Sequence, residues 1–128
     1  MKKGYVYFIN DGIGHMKIGV SDDPDRRIKE LQTGNANKLE LYYLLCVDSM
    51  DEAYEVEAIL HNNFAADHMY GEWFREKNVI SFINSPWMEI GDYRFKGKGI
   101  GIGKGALIGV VIGLILAILD SAIKLLMR

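Results

Sequence analysis

The sequence predicts a small α+β domain, an antiparallel three-stranded sheet flanked by helices, followed by a C-terminal transmembrane helix. Three observations carry this. Residues 4–20 alternate around a turn cluster, as the two arms of a β-hairpin do. Residues 23–34 and 49–64 set helix start and stop signals around apolar stripes. Residues 100–119 hold a single charge, Lys104, in a run of about the length a bilayer core requires.

The elements follow in order. "GYVYFI" (4–9) is rich in aromatic and β-branched types and makes the first strand; "NDGIG" is the turn and "HMKIGV" (15–20) the second strand. In "SDDPDRRIKELQTGN", Asp23 is the N-cap, Pro24 takes the first helical position, Ile28 and Leu31 face inward, and Gly34 closes the end. "LELYYLLCV" (39–47) reads as a third, well-buried strand, and Cys46 as a small core residue of a reducing compartment. Ser49 and Glu52 form a capping box for the next helix. There, at about 100° per residue, Ala53, Val56, Leu60 and Phe64 make one apolar stripe, and Glu57 falls at its rim. "GEWF" (71–74) is a short extended element, and a last helix over 75–84 ends before Pro86. No internal repeat is visible.

Composition divides the chain: a domain over 1–90, a basic juxtamembrane linker over 91–99, a transmembrane helix over 100–123 and a basic tail over 124–128. Residues 1–90 carry 9 Lys/Arg and 15 Asp/Glu, whereas 91–128 carry 6 and 2. An acidic front half argues against general electrostatic affinity for nucleic acid. Gly97, Gly101, Gly105, Gly109 and Gly113 recur every four residues, a spacing suited to close helix–helix approach in lipid and hence to a homo-oligomer. The basic cluster Arg94, Lys96, Lys98 and Lys104 precedes the span, so the positive-inside bias keeps the N-terminal domain in the cytoplasm. A buried apolar tail in a soluble protein is the plainer alternative.

Several side chains are candidates for chemistry. Tyr5, Tyr7 and Ile9 share one face of the first strand, with Lys17 and Gly19 on the matching face of the second; Val6 and Phe8 pack with Met16, Ile18 and Val20 opposite. An ammonium beside Tyr7 would lower its phenol pKa and suit it to proton transfer. A sheet face with packing tyrosines and a solvated lysine explains the same pattern. Arg26 and Arg27 lie in the first turn of a helix, where cations oppose the dipole. Glu57 and His61, four residues apart, are either a ligand pair or a polar contact.

Together, "YVY" (5–7), "KIG" (17–19), Arg27 and Glu57 form an ordered set that resembles the GIY-YIG nuclease superfamily, in its small stand-alone bacterial and bacteriophage branch. "YVYFI…MKIGVSDDPDRRIKELQTGN" matches that family's hairpin and first helix, and "EVEAILHNNF…GEWF" the branch's later signature, over about residues 4–75. The resemblance implies a metal-dependent endonuclease of GIY-YIG-like fold. It makes Tyr7 the general base or part of the base network, Arg27 the contact to the scissile phosphate, and Glu57 the ligand of one Mg²⁺ (or Mn²⁺). His61 and Glu72–Trp73 fall at positions typical of the branch, His61 to orient or contact phosphate and Trp73 to pack. Lys17 stands where the founding pattern has its second tyrosine. The amide residue many members carry is ambiguous among Asn62, Asn63, Asn78 and Asn84.

The expected function is therefore a membrane-anchored, divalent-metal-dependent endonuclease acting on DNA, with incoming foreign or phage DNA as the substrate its topology suggests. Its catalytic residues are Tyr7, Lys17, Arg27, Glu57 and His61, with Glu57 holding metal and the C-terminal helix meeting membrane lipid. The alternative is a catalytically inactive GIY-YIG-like module that binds nucleic acid at the membrane. A third reading is a glycine-zipper oligomer that perturbs membranes.

Overall fold

A computed structural model describes residues 2–99; the predicted span over 100–123, its glycines from Gly101 onward and the tail over 124–128 lie outside the described residues. Among the described residues, no helix is long and apolar enough to cross a membrane. The described chain divides into two units, one running up to Phe82 and including Glu89–Phe95, the other comprising Ile83–Met88 and residues 96–99.

The first unit begins with a hairpin of β1 (Gly4–Asn10) and β2 (His15–Ser21), paired from Tyr5↔Ser21 to Asn10↔Met16. Its turn is organised by Asp11, a buried residue. Asp11 Oδ1 accepts the amides of Ile13 and His15, each at 3.0 Å, and Asp11 Oδ2 lies 2.6 Å from His15 Nδ1. Burial opposes the charge on Asp11, but these hydrogen bonds prevail and hold its carboxyl below the usual range. Gly12 (φ 79°) and Gly14 (φ 108°) supply the left-handed residues the turn needs.

The predicted α+β class holds, but the sheet has five strands rather than three, in the order β3-β1-β2-β5-β4. The helix α1 (Pro24–Gln32) starts as its sequence indicates, with Asp23 accepting the Arg26 amide at 3.2 Å. Strand β3 (Glu40–Val47) pairs with β1 alone and forms a sheet margin, so it is less buried than its apolar sequence suggests. Leu45 and Val47 point into the core, while Leu41 is 41% exposed and Cys46 lies exposed rather than in the core. The "GEWF" segment contributes β5 (Trp73–Arg75), which joins β2 and is itself paired by β4 (His68–Tyr70). Three-residue strands have too few residues for a periodicity of their own; β5 is set by its long-range pairing with β2, and β4 by its local pairing with β5.

Helix α2 (Met50–Asn63) carries the cap read from its sequence. Ser49 Oγ accepts the Glu52 amide at 3.2 Å, and Glu52 Oε1 reaches back to the Asp48 amide at 3.0 Å. Ala53, Val56 and Leu60 are fully buried, and α2 packs on β1 and β2. Its start lies so close to Gly4 that a Cβ there would strike the Ser49 carbonyl and the Ala53 methyl. α2 thus covers the face bearing Val6, Phe8, Met16 and Ile18. The other face is covered as well: Tyr7, Ile9 and Leu39 form a cluster with Ile28 and Leu31 of α1, Leu44 and Trp73. Because both faces are covered, Tyr7 is only 1% exposed.

Helix α3 (Glu76–Ile83) falls within the predicted 75–84. Its first turn is tied to the hairpin, Glu76 N donating to Gly14 O at 3.0 Å and Asn10 Nδ2 to Glu76 Oε1 at 2.6 Å. β6 (Trp87–Ile90) and β7 (Tyr93–Lys96) form a separate two-stranded sheet. The stretch 91–99, read from its basic composition as a linker, therefore contains a strand, its turn made at Gly91 (φ 60°). In the first unit the Tyr93 hydroxyl donates to Glu55 Oε1 at 3.0 Å. In the second, the amides of Gly97 and Lys98 donate to the carbonyls of Pro86 and Ile83 at 2.9 and 2.7 Å. A Cβ at Gly97 would collide with the Ser85 carbonyl, so this glycine has a local reason besides the four-residue repeat.

Candidate functional site

Tyr7, Lys17, Arg27, Glu57 and His61 come from β1, β2, α1 and α2, and all lie in the first unit. Tyr7 pairs across the hairpin with Gly19, and its phenol lies directly over that glycine: a Cβ at Gly19 would strike the Tyr7 hydroxyl. The glycine of "KIG" is the space the tyrosine occupies. Arg27 acts electrostatically on the Tyr7 phenol, favouring its ionised form, while Arg27 Nη1 donates to Glu30 Oε1 at 3.3 Å. Arg26 points elsewhere, into an exposed set with Asp22, Asp23 and Glu30.

Tyr7's pKa is raised, against the expectation that an adjacent ammonium would lower it. Burial is the main cause, Arg27 offsets part of it, and the charges of Glu72 and Glu57 push it further up. Lys17 does not serve the phenol because register pairs it with Ile9, while Gly19 stands opposite Tyr7. Lys17 is not solvated either: its side chain is 12% exposed, with Nζ 3.4 Å from Glu72 Oε1 and 5.5 Å from the centre of the Trp73 ring.

Glu57 lies at the rim of the α2 stripe as the helical wheel indicates, and its side chain is 15% exposed. Its Oε2 is buried without a hydrogen-bond partner. Burial first, then the charge and hydrogen bonding of Glu72, raise its pKa to about 7, with Lys17 pulling the other way. α2 lies on one face of the sheet and Tyr7 and Lys17 on the other, yet these groups interact. They can because β5 pairs with β2 only over His15–Lys17, with one further bond from Ile18 N to Glu72 O at 3.0 Å, and leaves the last residues of β2 uncovered by a strand on that side.

His61 lies one turn beyond Glu57, but its Nε2 is 2.9 Å from the Ile18 carbonyl and 3.8 Å from Glu57 Oε2. A carbonyl only accepts, so Nε2 carries a proton and is committed to the β2 backbone; 3.8 Å is too long for a hydrogen bond to Glu57. The ring also packs edge-on against Phe74, with centroids 4.9 Å apart. His61 thus fastens α2 to β2 beside the carboxylate. Of the amide candidates, Asn78 donates to Asp67 Oδ2 at 3.0 Å.

Glu72, absent from the expected catalytic set, proves to be the nearest acidic neighbour of both Lys17 and Glu57. The resemblance places Glu72 at a position typical of the branch without giving it a role, and nothing in periodicity links position 72 to 17 or 57. The cleft of about 400 Å³ at the hairpin tip, lined by Asn10, Asp11, Lys38 and Glu40 among others, contains none of these side chains.

No curated protein and no solved structure matches the chain. One family does, the T5orf172 domain, over residues 4–86. The match takes in every element that contributes a side chain to the site. It is consistent with a nuclease or DNA-binding function. Because it spans well over half of the 128 residues, the chain belongs to the T5orf172 domain family.

Proposed function

We propose that the protein is a divalent-metal-dependent endonuclease that hydrolyses phosphodiester bonds in DNA, with a GIY-YIG-type site in which Lys17 stands at the second tyrosine position. What supports this is the gathering of Tyr7, Arg27 and Glu57 from three elements, with a carboxylate oxygen of Glu57 buried and without a hydrogen-bond partner. A glutamate kept for structure would be expected to complete a salt bridge. This one faces a second carboxylate.

That orphaned oxygen fits a cation. Mg²⁺ keeps several waters and takes one or two carboxylates together with substrate phosphate oxygens. Glu57 as principal ligand suits this habit, and among the described residues no three His, Cys, Asp or Glu side chains form a fuller cage. Glu57 would hold the Mg²⁺ or Mn²⁺, which when bound would supply electrophilic stabilisation of developing phosphoryl charge. Arg27 presents its fork of donors to a non-bridging phosphate oxygen. Tyr7, held protonated by burial, orients the attacking water through its hydroxyl as part of the proton-transfer network. Lys17 balances the two carboxylates.

The apolar sequence over 100–123 supports a second part of the proposal: a single-pass anchor that keeps the N-terminal domain on the cytoplasmic side, with copies associating through the glycine face. Tethering raises the effective concentration of a weakly binding domain against DNA entering at the membrane, phage DNA included.

Nicking of supercoiled plasmid by the detergent-solubilised chain in Mg²⁺ tests the enzyme. Glu57→Gln is expected to slow it at least 100-fold; equal rates in wild type and variant would sink the reading. Binding of DNA without any cleavage by wild type assigns the inactive binding module instead. Removal of residues 100–128 is expected to abolish protection of cells against phage, and undiminished protection would remove the anchor from the proposal.

A further inference from the structure

We propose that Glu72 is the second carboxylate of the cation site, with Lys17 holding the cation's place as counter-charge while the site is free. The inference rests on the reading of Glu57 as a metal ligand, which itself assigns nothing to Glu72. The backbone at Glu72 is fixed on both sides. Before it, Gly71 turns at φ 55° and its carbonyl lies 2.9 Å from His68 Nε2. At Glu72 itself, the carbonyl accepts the Ile18 amide at 3.0 Å, and the next residue, Trp73, pairs with Lys17. This framing brings the Glu72 carboxylate to Lys17 and toward Glu57, while its side chain stays 40% exposed, open to solvent and to an approaching backbone phosphate.

The charges show why the arrangement is incomplete. Lys17 pairs with Glu72, both act electrostatically on Glu57, and Glu57 Oε2 has no hydrogen-bond partner; with both carboxyls ionised the three groups carry an excess of one negative charge. The Lys17–Glu72 separation of 3.4 Å is longer than the about 2.7–2.9 Å of a strong charge-assisted hydrogen bond, so the lysine is a displaceable partner. A divalent cation turns the excess to one positive charge, the sign a phosphodiester requires, and frees the ammonium to face the substrate.

Mn²⁺ binding to the full chain in detergent, without DNA, tests this by titration calorimetry or electron paramagnetic resonance. Glu57→Gln and Glu72→Gln are each expected to weaken Mn²⁺ binding at least tenfold, with the Glu72→Gln melting temperature in EDTA within a few degrees of wild type. Lys17→Met is expected to tighten it at least threefold, a gain that a merely structural Glu72–Lys17 pair would not give. Wild-type affinity in Glu72→Gln with loss in Glu57→Gln overturns this inference and leaves the proposed metal ligand standing. Equal affinity in all three proteins, or none in wild type, overturns both. Unchanged or weaker binding in Lys17→Met removes the counter-charge role. Should Glu72→Gln fail to fold, Glu72→Ser carries the same comparison.

Discussion

A carboxyl that ionises only near neutrality writes itself into the stability of the whole domain. Glu57 titrates at about 7 when folded and near 4.5 when unfolded, so between those values the native state holds the extra proton. Its contribution to stability is complete below about pH 4.5, is lost as pH rises to about 7, and stays lost above. In EDTA, melting of wild type should fall over that window relative to Glu57→Gln, in which that component of the pH dependence disappears; parallel curves would show that Glu57 is not buried against a like charge. Gly19→Ala belongs at the same scale. It forces the Tyr7 phenol aside, is expected to destabilise by about 1–3 kcal/mol in urea unfolding, and should abolish nicking even where the protein remains folded. Tyr7, Arg27 and Glu57 each carry a local mark (a strand face, a helix start, a charge at the rim of an apolar stripe), but each mark is weak alone, and the resemblance of their order and spacing singled them out together. Glu72 carried none, and the pairing of Lys17 with a carboxylate in place of the phenol depended on a register that alternation alone does not fix.

At the scale of elements, the signals that worked were those confined to a few neighbouring residues. Ser49 and Glu52 announce α2, and the structure uses both, though Glu52 reaches Asp48 rather than Ser49 itself. Ser49→Ala should cost about 1 kcal/mol in equilibrium urea unfolding. Because α2 carries Glu57, the same variant is expected to weaken Mn²⁺ binding several-fold; unchanged stability and binding would mean the helix start is held by packing on Gly4 alone. The elements that escaped were β4, β6 and β7, of three or four residues each. β4 is a three-residue arm held by its neighbour β5, β6 pairs with β7, and β7 lies within a basic stretch whose composition outweighs its short alternation. β3 was legible as a strand but not as a margin, since an apolar run does not say how many neighbours a strand has.

For the whole molecule, charge sets the limits. Residues 1–90 are net acidic, and several of their cations already have acidic partners: Lys2 with Asp22, Lys3 with Asp48, Arg26 and Arg27 with Glu30. DNA must compete with these carboxylates, so binding should be weak and its salt dependence shallow. Anisotropy titrations are expected to give a log–log slope of about −2 to −3, the release of two or three counterions; a slope near −8 would require a basic surface that the first unit lacks.

The Asp11 turn has a consequence that reaches across the sheet. β2 presents Met16 and Ile18 to the core and Lys17 and Gly19 to the site, so its two sides are assigned by odd and even number alone. One residue added between Asp11 and His15 would exchange those sides, driving an ammonium into the apolar layer and isoleucine against the Tyr7 hydroxyl. The carboxylate that fixes the length of this turn is in effect an indexing stop for the chemistry beyond it. Chain length should therefore be unforgiving at residues 12–14 and tolerant at 34–38, where no strand register is set.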